Sequence, residues 1–278
     1  MSGAAQDNRV GADKLEFAPA TRERFADFAR LFPELGVDDP LPTLEDWLAR
    51  LAPDTVFAVR DGAVVGYGYA QALGEDGYVR NVVTDPTQRG RGVGRALMLE
   101  LRRRLAQSGC VRWQLNVKVD NAPALGLYHS LGLVGDFRTW VLRAPTASAL
   151  ALPASPRDAS VRECGPELDA WLQAHFAIPP GLLARHRLKP DARVLVCERS
   201  GTHVGLAPFD PAFPGCFPFR LLDETCARAM LEPLLRLVPS GRPHLQLVLE
   251  RDERAARLLL AAGVRLHFEI QHMHGPLA

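Results

Sequence analysis

The sequence has no CxxC pair, no long apolar run and almost no net charge. Each absence removes a class of function. Cys110, Cys164, Cys197, Cys216 and Cys226 are scattered singly and odd in number. That argues against a zinc site or a disulfide framework, and for reduced thiols in a cytoplasmic protein. No segment approaches the roughly 20 apolar residues of a membrane-spanning helix. The opening "MSGAAQDNRVGADK" lacks the hydrophobic core of a signal peptide and reads as a loose polar leader, 1–14. Thirty-three Lys and Arg against 32 Asp and Glu leave a formal net charge of +1. A general affinity for nucleic acid or an anionic membrane is therefore not expected, and any basic patch must be local. What is present is a chain of 278 residues, 47% hydrophobic, which suits two globular domains. Nothing in it specifies an oligomeric state.

One basic patch stands out in "TDPTQRGRGVGRALMLEL", Thr84 to Leu101. Gly90, Gly92 and Gly94 alternate with Arg89, Arg91, Val93 and Arg95, just before an apolar helical pattern. A helix start carries N–H groups without intrahelical partners and a partial positive charge. Glycines let the entering turn aim several N–H groups at one anion without a Cβ in the way. Three arginines add full charge, and a diphosphate is the natural guest. The motif is not a Walker loop, since no Gly-Lys-Ser/Thr follows, and its glycine spacing is not that of a Rossmann fingerprint. On its own it is equally a basic turn at a solvated helix end.

The hydrophobic periodicity predicts β-α-α-β-β-β-α-β-α-β over the first half. "KLEFAPAT" alternates as a strand, and Thr21 and Thr43 are candidate N-caps of two helices. Asp61-Gly62 joins two strands as a hairpin. Asp85-Pro86 ends the next strand, and a helix follows from about Val93 to Ser108 with Leu97, Leu101 and Leu105 on one face. The Ala-, Pro- and Ser-rich stretch 144–160 reads as a linker between domains 15–143 and 161–278.

The second domain echoes the first. Arg60, Gly62, Val65 and Gly66 match Arg199, Gly201, Val204 and Gly205; further on, Ala124, Leu127 and Gly132 match Ala255, Leu258 and Gly263. Chance similarity between two α/β halves competes with duplication. The offset falls from 139 to 131 residues between these landmarks, placing an eight-residue loss in the strand and loop before the central helix. The second copy has "FPGCFPFRLLDET" there, without the glycine pattern.

Taken together, "VVTDPTQRGRGVGRAL" and "LNVKVDNAPALGLYHSLGL" resemble the GNAT superfamily of N-acetyltransferases over about residues 15–143. The first segment is similar to that family's acyl-CoA pyrophosphate loop. The second, with Asn121, Ala124, Tyr128 and Gly132, is similar to its later segment. The resemblance implies an α/β (α+β) fold with a mixed, mostly antiparallel twisted sheet flanked by helices in each of two GNAT-like domains. It implies acetyl-CoA as cosubstrate, no metal, and a small-molecule or protein amine as acceptor. Val82, Val83 and Thr84 would offer backbone groups to the acetyl carbonyl and pantetheine arm, and Arg89, Gly90, Arg91, Gly92, Val93, Gly94 and Arg95 would hold the pyrophosphate. Asn121 would touch the pantetheine arm, and Tyr128 would protonate the departing thiolate.

Many relatives carry a Glu on the strand before the loop; this chain has Arg80 and Asn81 there. The general base is therefore unassigned. Glu75 and Asp76 are candidates, a water relay from Asn81 is another, and Arg80 leaves open an acceptor bearing a carboxylate. Glu34, Asp38, Asp39, Glu45 and Asp46 form an acidic rim that would favour a cationic amine, though helix capping accounts for some of it equally well. In the second half Leu259 stands where Tyr128 does. That half resembles a degenerate GNAT-like copy, in outline similar to the tandem arrangement of mycothiol synthase-type enzymes. Covering the substrate cleft or stabilising the first domain are the roles left to it. His267, His272 and His274 have only Glu269 nearby to join them, so they read as core or solvated histidines and not as a metal site. The competing function is a CoA-binding regulatory or interaction protein that has lost transferase activity.

Overall fold

A computed structural model describes residues 15–36, 40–146 and 150–277. The expected leader, and Asp38 and Asp39 of the acidic rim, lie outside the described residues. The chain divides into two units by its internal contacts. One holds residues up to Asn116, Pro123–Gly135 and Met273–Ala278; the other holds Val117–Ala122 and Asp136–His272.

In the first unit, strands β1 (Glu16–Pro19), β2 (Thr55–Arg60), β3 (Ala63–Leu73), β4 (Asp76–Thr84) and β5 (Arg112–Lys118) pair in that order. The first four are antiparallel, and β5 is parallel to β4. The β2–β3 hairpin turns where expected: Asp61 and Gly62 have φ of 51° and 78°, the left-handed pair that a two-residue hairpin requires. Helices α1 (Phe25–Leu31) and α2 (Leu44–Arg50) cover one face. Their aromatic side chains supply its core, with the Phe28 ring 5.5 Å from Trp47 and 5.2 Å from Tyr67 of β3. Thr43 caps α2, its hydroxyl accepting from Asp46 N at 3.1 Å. Thr21 precedes a 3-10 turn and makes no side-chain cap.

Side chains alternate across a strand, so Gly66 and Gly68 face away from Tyr67 and its aromatic core, toward α3 (Val93–Gln107). A Cβ on Gly66 would stand 2.6 Å from the Val83 carbonyl oxygen and 3.2 Å from Leu97; one on Gly68 would stand 2.9 Å from Leu101, and one on Gly77 2.5 Å from Leu105. Three leucines at helical spacing thus lie over three positions without side chains. This seat aligns α3 along β3 and β4, with its first turn beside the end of β4. Helix α4 (Ala122–Ser130) follows β5 and closes at Gly132, whose φ is 86°. The segment at Met273–Leu277 completes the unit: Met273 is buried, Leu277 N donates to Val111 O and Arg102 Nε to Leu277 O, each at 3.0 Å.

The second unit contains β6 (Val134–Pro145, from Asp136), β7 (Ala159–Glu163), β8 (Arg193–Arg199), β9 (Thr202–Asp210), β10 (Gly215–Cys216), β11 (Arg220–Leu221), β12 (His244–Glu250) and β13 (Arg265–Pro276, to His272). They run in the order β13-β6-β12-β10-β9-β8-β7, with β11 against β9. Only β10 with β12 is parallel among the pairs of known register. Helices α5 (Asp169–His175), α6 (Leu182–Arg187), α7 (Ala227–Leu237) and α8 (Glu253–Ala261) flank them. The fold class is the one expected: a mixed, mostly antiparallel sheet flanked by helices.

Two features differ from the sequence reading. The described residues of 144–160 are packed and are not a free tether. Ala144 lies in β6, Leu152 is buried in the second unit's core, and Ala151 N donates to Ala262 O at 2.9 Å. Its apolar side chains have a core to enter, which its Ala/Pro/Ser composition conceals. The units also interleave along the chain instead of meeting at this stretch, because β6 pairs through seven residues with β12.

Gly66→Ala tests the helix seat. Its Cβ would meet a backbone oxygen that no rotamer change moves aside, so the folded state should lose about 1–3 kcal/mol in a urea titration.

Candidate active site

The site is built where β4 ends and α3 begins. The parallel pairing of β4 with β5 runs from Asp76↔Arg112 to Val79↔Leu115, while β4 pairs with β3 as far as Thr84↔Gly66. Beyond Val79 that ladder stops, and backbone groups of Arg80–Thr84 on the β5 side are available to a ligand. The expected residues Val82, Val83 and Thr84 occupy this stretch. Val83 is buried in the core beneath α1. The same stretch begins with a β-bulge: Tyr69 pairs with Asn81 and Ala70 with Val79, so Arg80 is the extra residue.

A tight turn follows. The Asp85 carboxylate accepts from Thr87 N at 3.0 Å and Thr87 Oγ1 at 2.7 Å, while its other oxygen accepts from Arg30 at 2.5 Å. These partners, Thr87 first, hold the Asp85 carboxyl below the usual carboxylate range. Arg30 also donates to Val64 O at 2.8 Å, tying the turn to α1 and β3. The chain then passes through Gly90 (φ 76°) and Gly92 (φ 81°) into α3. Gly92 is the N-cap and offers no side-chain acceptor, so the first N–H groups of a 15-residue helix are left for an external partner. Ideal Cβ atoms on Gly90 and Gly92 would meet nothing within 4 Å. The room and the left-handed backbone fit an anion cradle of helix-start N–H groups. A Cβ on Gly94 would lie 3.5 Å from Thr84 Oγ1 and 3.6 Å from Leu127, so strand end, helix start and α4 converge here.

The arginines of the loop differ in their engagements. Arg89 is paired with Glu34 at 2.6 Å and Arg95 donates to Ser130 Oγ at 2.8 Å, whereas Arg91 is exposed and has no partner among the described residues. Glu34 therefore supports the loop instead of adding to an open acidic rim. Asp46 is similarly occupied, accepting from the Thr43 hydroxyl at 2.9 Å.

Tyr128 lies on α4 and is 9% exposed. Burial pushes its pKa up to about 12, and its hydroxyl makes no hydrogen bond among the described residues. Asn121 falls in the other contact unit, its N–H donating to Lys118 O at 3.0 Å. The two acids weighed as bases are at the wrong end of β4. Asp76 is locked to Arg112 at 2.8 and 3.2 Å, its pKa lowered chiefly by that contact. Thr84 lies eight residue steps further on, about 26 Å along the strand. Sequence reasoning missed Arg30, Glu34 and Ser130 as supports of the loop, and Tyr67, whose hydroxyl is buried and lies by Asn81 without a well-aligned hydrogen bond. None of these carries a motif signal.

The second unit has a similar turn without the cradle. Asp223 accepts from Thr225 N at 3.0 Å and Thr225 Oγ1 at 2.6 Å, and from Arg199 at 2.5 Å. Its 3-10 turn, Glu224–Cys226, runs straight into α7 at Ala227, whereas Arg89–Gly92 separate Pro86–Gln88 from α3. Four residues thus stand between turn and helix in the first unit and none in the second. Leu259 is fully buried in the core. No group of three or more His, Cys, Asp or Glu able to hold a metal occurs among the described residues. His272 is stacked on Phe137 at 4.5 Å.

Residues 21–133 match the sequence profile of the Acetyltransferase (GNAT) family. A mycothiol acetyltransferase of Brachybacterium faecium is 36% identical over 98 residues, covering 34% of this chain and 30% of the relative. Another, from Nocardiopsis dassonvillei, is 34% identical over 138 residues, covering 44% and 40%. The chain spans less than half the length of these curated relatives. Among solved structures, a GCN5-related N-acetyltransferase from Sphaerobacter thermophilus aligns over 95% of this chain and 96% of its own, with TM-score 0.71 and 19% identity. One from Anabaena variabilis covers 95% and 73%, with TM-score 0.58 and 12% identity. At these identities the likeness is one of fold.

Asp85→Asn keeps an acceptor for Thr87 but removes the charge facing Arg30. Because the folded-state pKa of Asp85 is lowered, its ionic contribution is present above about pH 4 and is lost as pH falls through the folded value. The stability gap between wild type and Asp85→Asn in urea should therefore be largest near neutrality and shrink toward pH 3.

Proposed function

We propose that the chain is an acetyl-CoA-dependent N-acetyltransferase that passes an acetyl group directly to a primary amine of a small molecule or protein. The observation that carries this reading is the juxtaposition at one end of the sheet. A strand edge without a β5 partner stops beside a helix whose N-cap glycine leaves its first N–H groups uncapped. Acetyl-CoA would supply an activated thioester. Helix-start N–H groups of Gly92–Arg95, with Arg91, would hold its diphosphate. Backbone groups of Val82–Thr84 would hold the pantetheine arm and polarise the thioester carbonyl.

Tyr128 Oη would hold the proton needed by the leaving sulfur. Its raised pKa keeps it a neutral donor throughout the neutral range. A thiolate developing in the same apolar surroundings is destabilised as well, which favours taking that proton. The acceptor must arrive as a free amine. No carboxylate stands on the Arg80–Thr84 stretch, so water beside Asn81 is the proposed proton acceptor. That same lack favours, as a second reading, a CoA-binding regulatory or interaction protein without turnover.

We read the second unit as a GNAT-like copy that has lost the cradle. The shared Asp-Thr-Arg turn, the common element order and Leu259 in place of Tyr128 support this. One cofactor site per chain follows. Five unpaired, buried thiols suit a cytoplasmic protein. No described helix is long and apolar enough to cross a membrane.

Turnover of acetyl-CoA with a broad amine panel, read by thiol release, separates the two readings; tight CoA binding without turnover on any amine favours the regulatory one. Gly92→Glu should abolish CoA binding in calorimetry by placing a carboxylate in the cradle. Tyr128→Phe should keep CoA affinity and lower kcat about a hundredfold. The acid stays protonated well above neutrality, so wild-type kcat should rise with pH as the amine deprotonates and show no falling limb below about pH 10.

A further inference from the structure

We infer that Arg80 is the specificity-determining residue for the acceptor, and that the acceptor is an amine that also bears a carboxylate. The inference rests on the acetyltransferase reading and narrows its substrate class. Four nearby arginines are matched with acids or a hydroxyl: Arg30 with Asp85, Arg89 with Glu34, Arg112 with Asp76, Arg95 with Ser130; Arg91, in the glycine loop itself, is assigned to the diphosphate in the proposed reading. Arg80 is built differently. Its Nε donates to the neutral Gln71 Oε1 at 3.1 Å, and its guanidinium carbon lies 4.0 Å above the centre of the Tyr78 ring. The hydrogen bond and the stack set the plane of the guanidinium without neutralising it. Its two terminal nitrogens have no partner among the described residues, and the side chain is exposed. An oriented, uncompensated fork of this kind is suited to a carboxylate, which it meets through two parallel hydrogen bonds.

Its position gives the fork a function. Gln71 pairs with Tyr78 and Tyr69 with Asn81, and the bulge at Arg80 brings the arginine to the face that carries Tyr67, Tyr69 and Asn81. This face is opposite the α3 seat. Arg80 also opens the stretch of β4 that has no β5 partner, two to four residues before Val82–Thr84. That is about 7–13 Å along the strand, a span that the arginine side chain and a short amino-carboxylate bridge together. A single guanidinium matches a single negative charge, which favours a carboxylate over a phosphate.

The test uses the full chain, acetyl-CoA and amino acids paired with their carboxamides. Wild type should favour the acid over its amide by about tenfold or more in kcat/KM, with the difference residing in KM. R80Q should bring the two together by raising KM for the acid. R80K, which keeps the charge but loses the fork, should fall between. Circular dichroism of both variants checks their fold, which an exposed side chain should not disturb. Equal use of acid and amide by wild type, or an unchanged preference in R80Q, would overturn the inference while leaving the acetyltransferase reading intact. No turnover with any amine would overturn both.

Discussion

Helix α3 lies so close to its sheet that three glycines must stand beneath three leucines. Leu101 and Leu105 come within 3.0 Å of where a Cβ would stand on Gly68 and Gly77, and at Gly66 a Cβ would lie 3.2 Å from Leu97 and 2.6 Å from the Val83 carbonyl oxygen. Everything at the candidate site follows from that contact. It aligns the helix with β3 and β4, so the first turn of α3 falls where β4 ends. It also leaves the opposite face of β3 to Tyr67 and the aromatic core beneath α1 and α2. One face of the sheet therefore serves the helix that starts the cradle, and the other carries the proposed acceptor wall.

The proposed cradle follows a turn that both units possess. An aspartate accepting from a threonine two residues on, and from an arginine on another element, shapes the chain at Asp85 and again at Asp223. In the second unit the helix begins at once. In the first, Arg89–Gly92 intervene, and two of them have left-handed backbone. The entry to α7 is also capped from outside, Ala229 N donating to Ser155 Oγ at 2.9 Å, whereas the N-cap glycine of α3 offers its helix no side-chain acceptor. The difference is one of backbone and capping, which is why charge counting alone does not reveal it.

Much of this was legible in the sequence. The element order, the Asp61-Gly62 hairpin and the helix from Val93 all read directly, because apolar periodicity and glycine punctuation are local signals. The glycine loop and Tyr128 were likewise visible. The bulge at Arg80 was not, since it depends on how β4 registers against β3 and carries no glycine to mark it. Nor was the packing of 144–160, whose few apolar residues matter only once a core is there to receive them.

The sequence by itself determined the groups within reach: helix-start N–H groups freed by glycine, a phenol on a short helix, and Arg80 on the strand before the loop. Only the tertiary structure decided which charges remain available. Arg30 meets Asp85 and Arg89 meets Glu34 across 55 residues of chain, and Asp76 is taken by Arg112 across 36. Arg80 is left with neutral partners. Ion pairing is settled by proximity in space, and strand register and helix seating, not local sequence, bring those groups together.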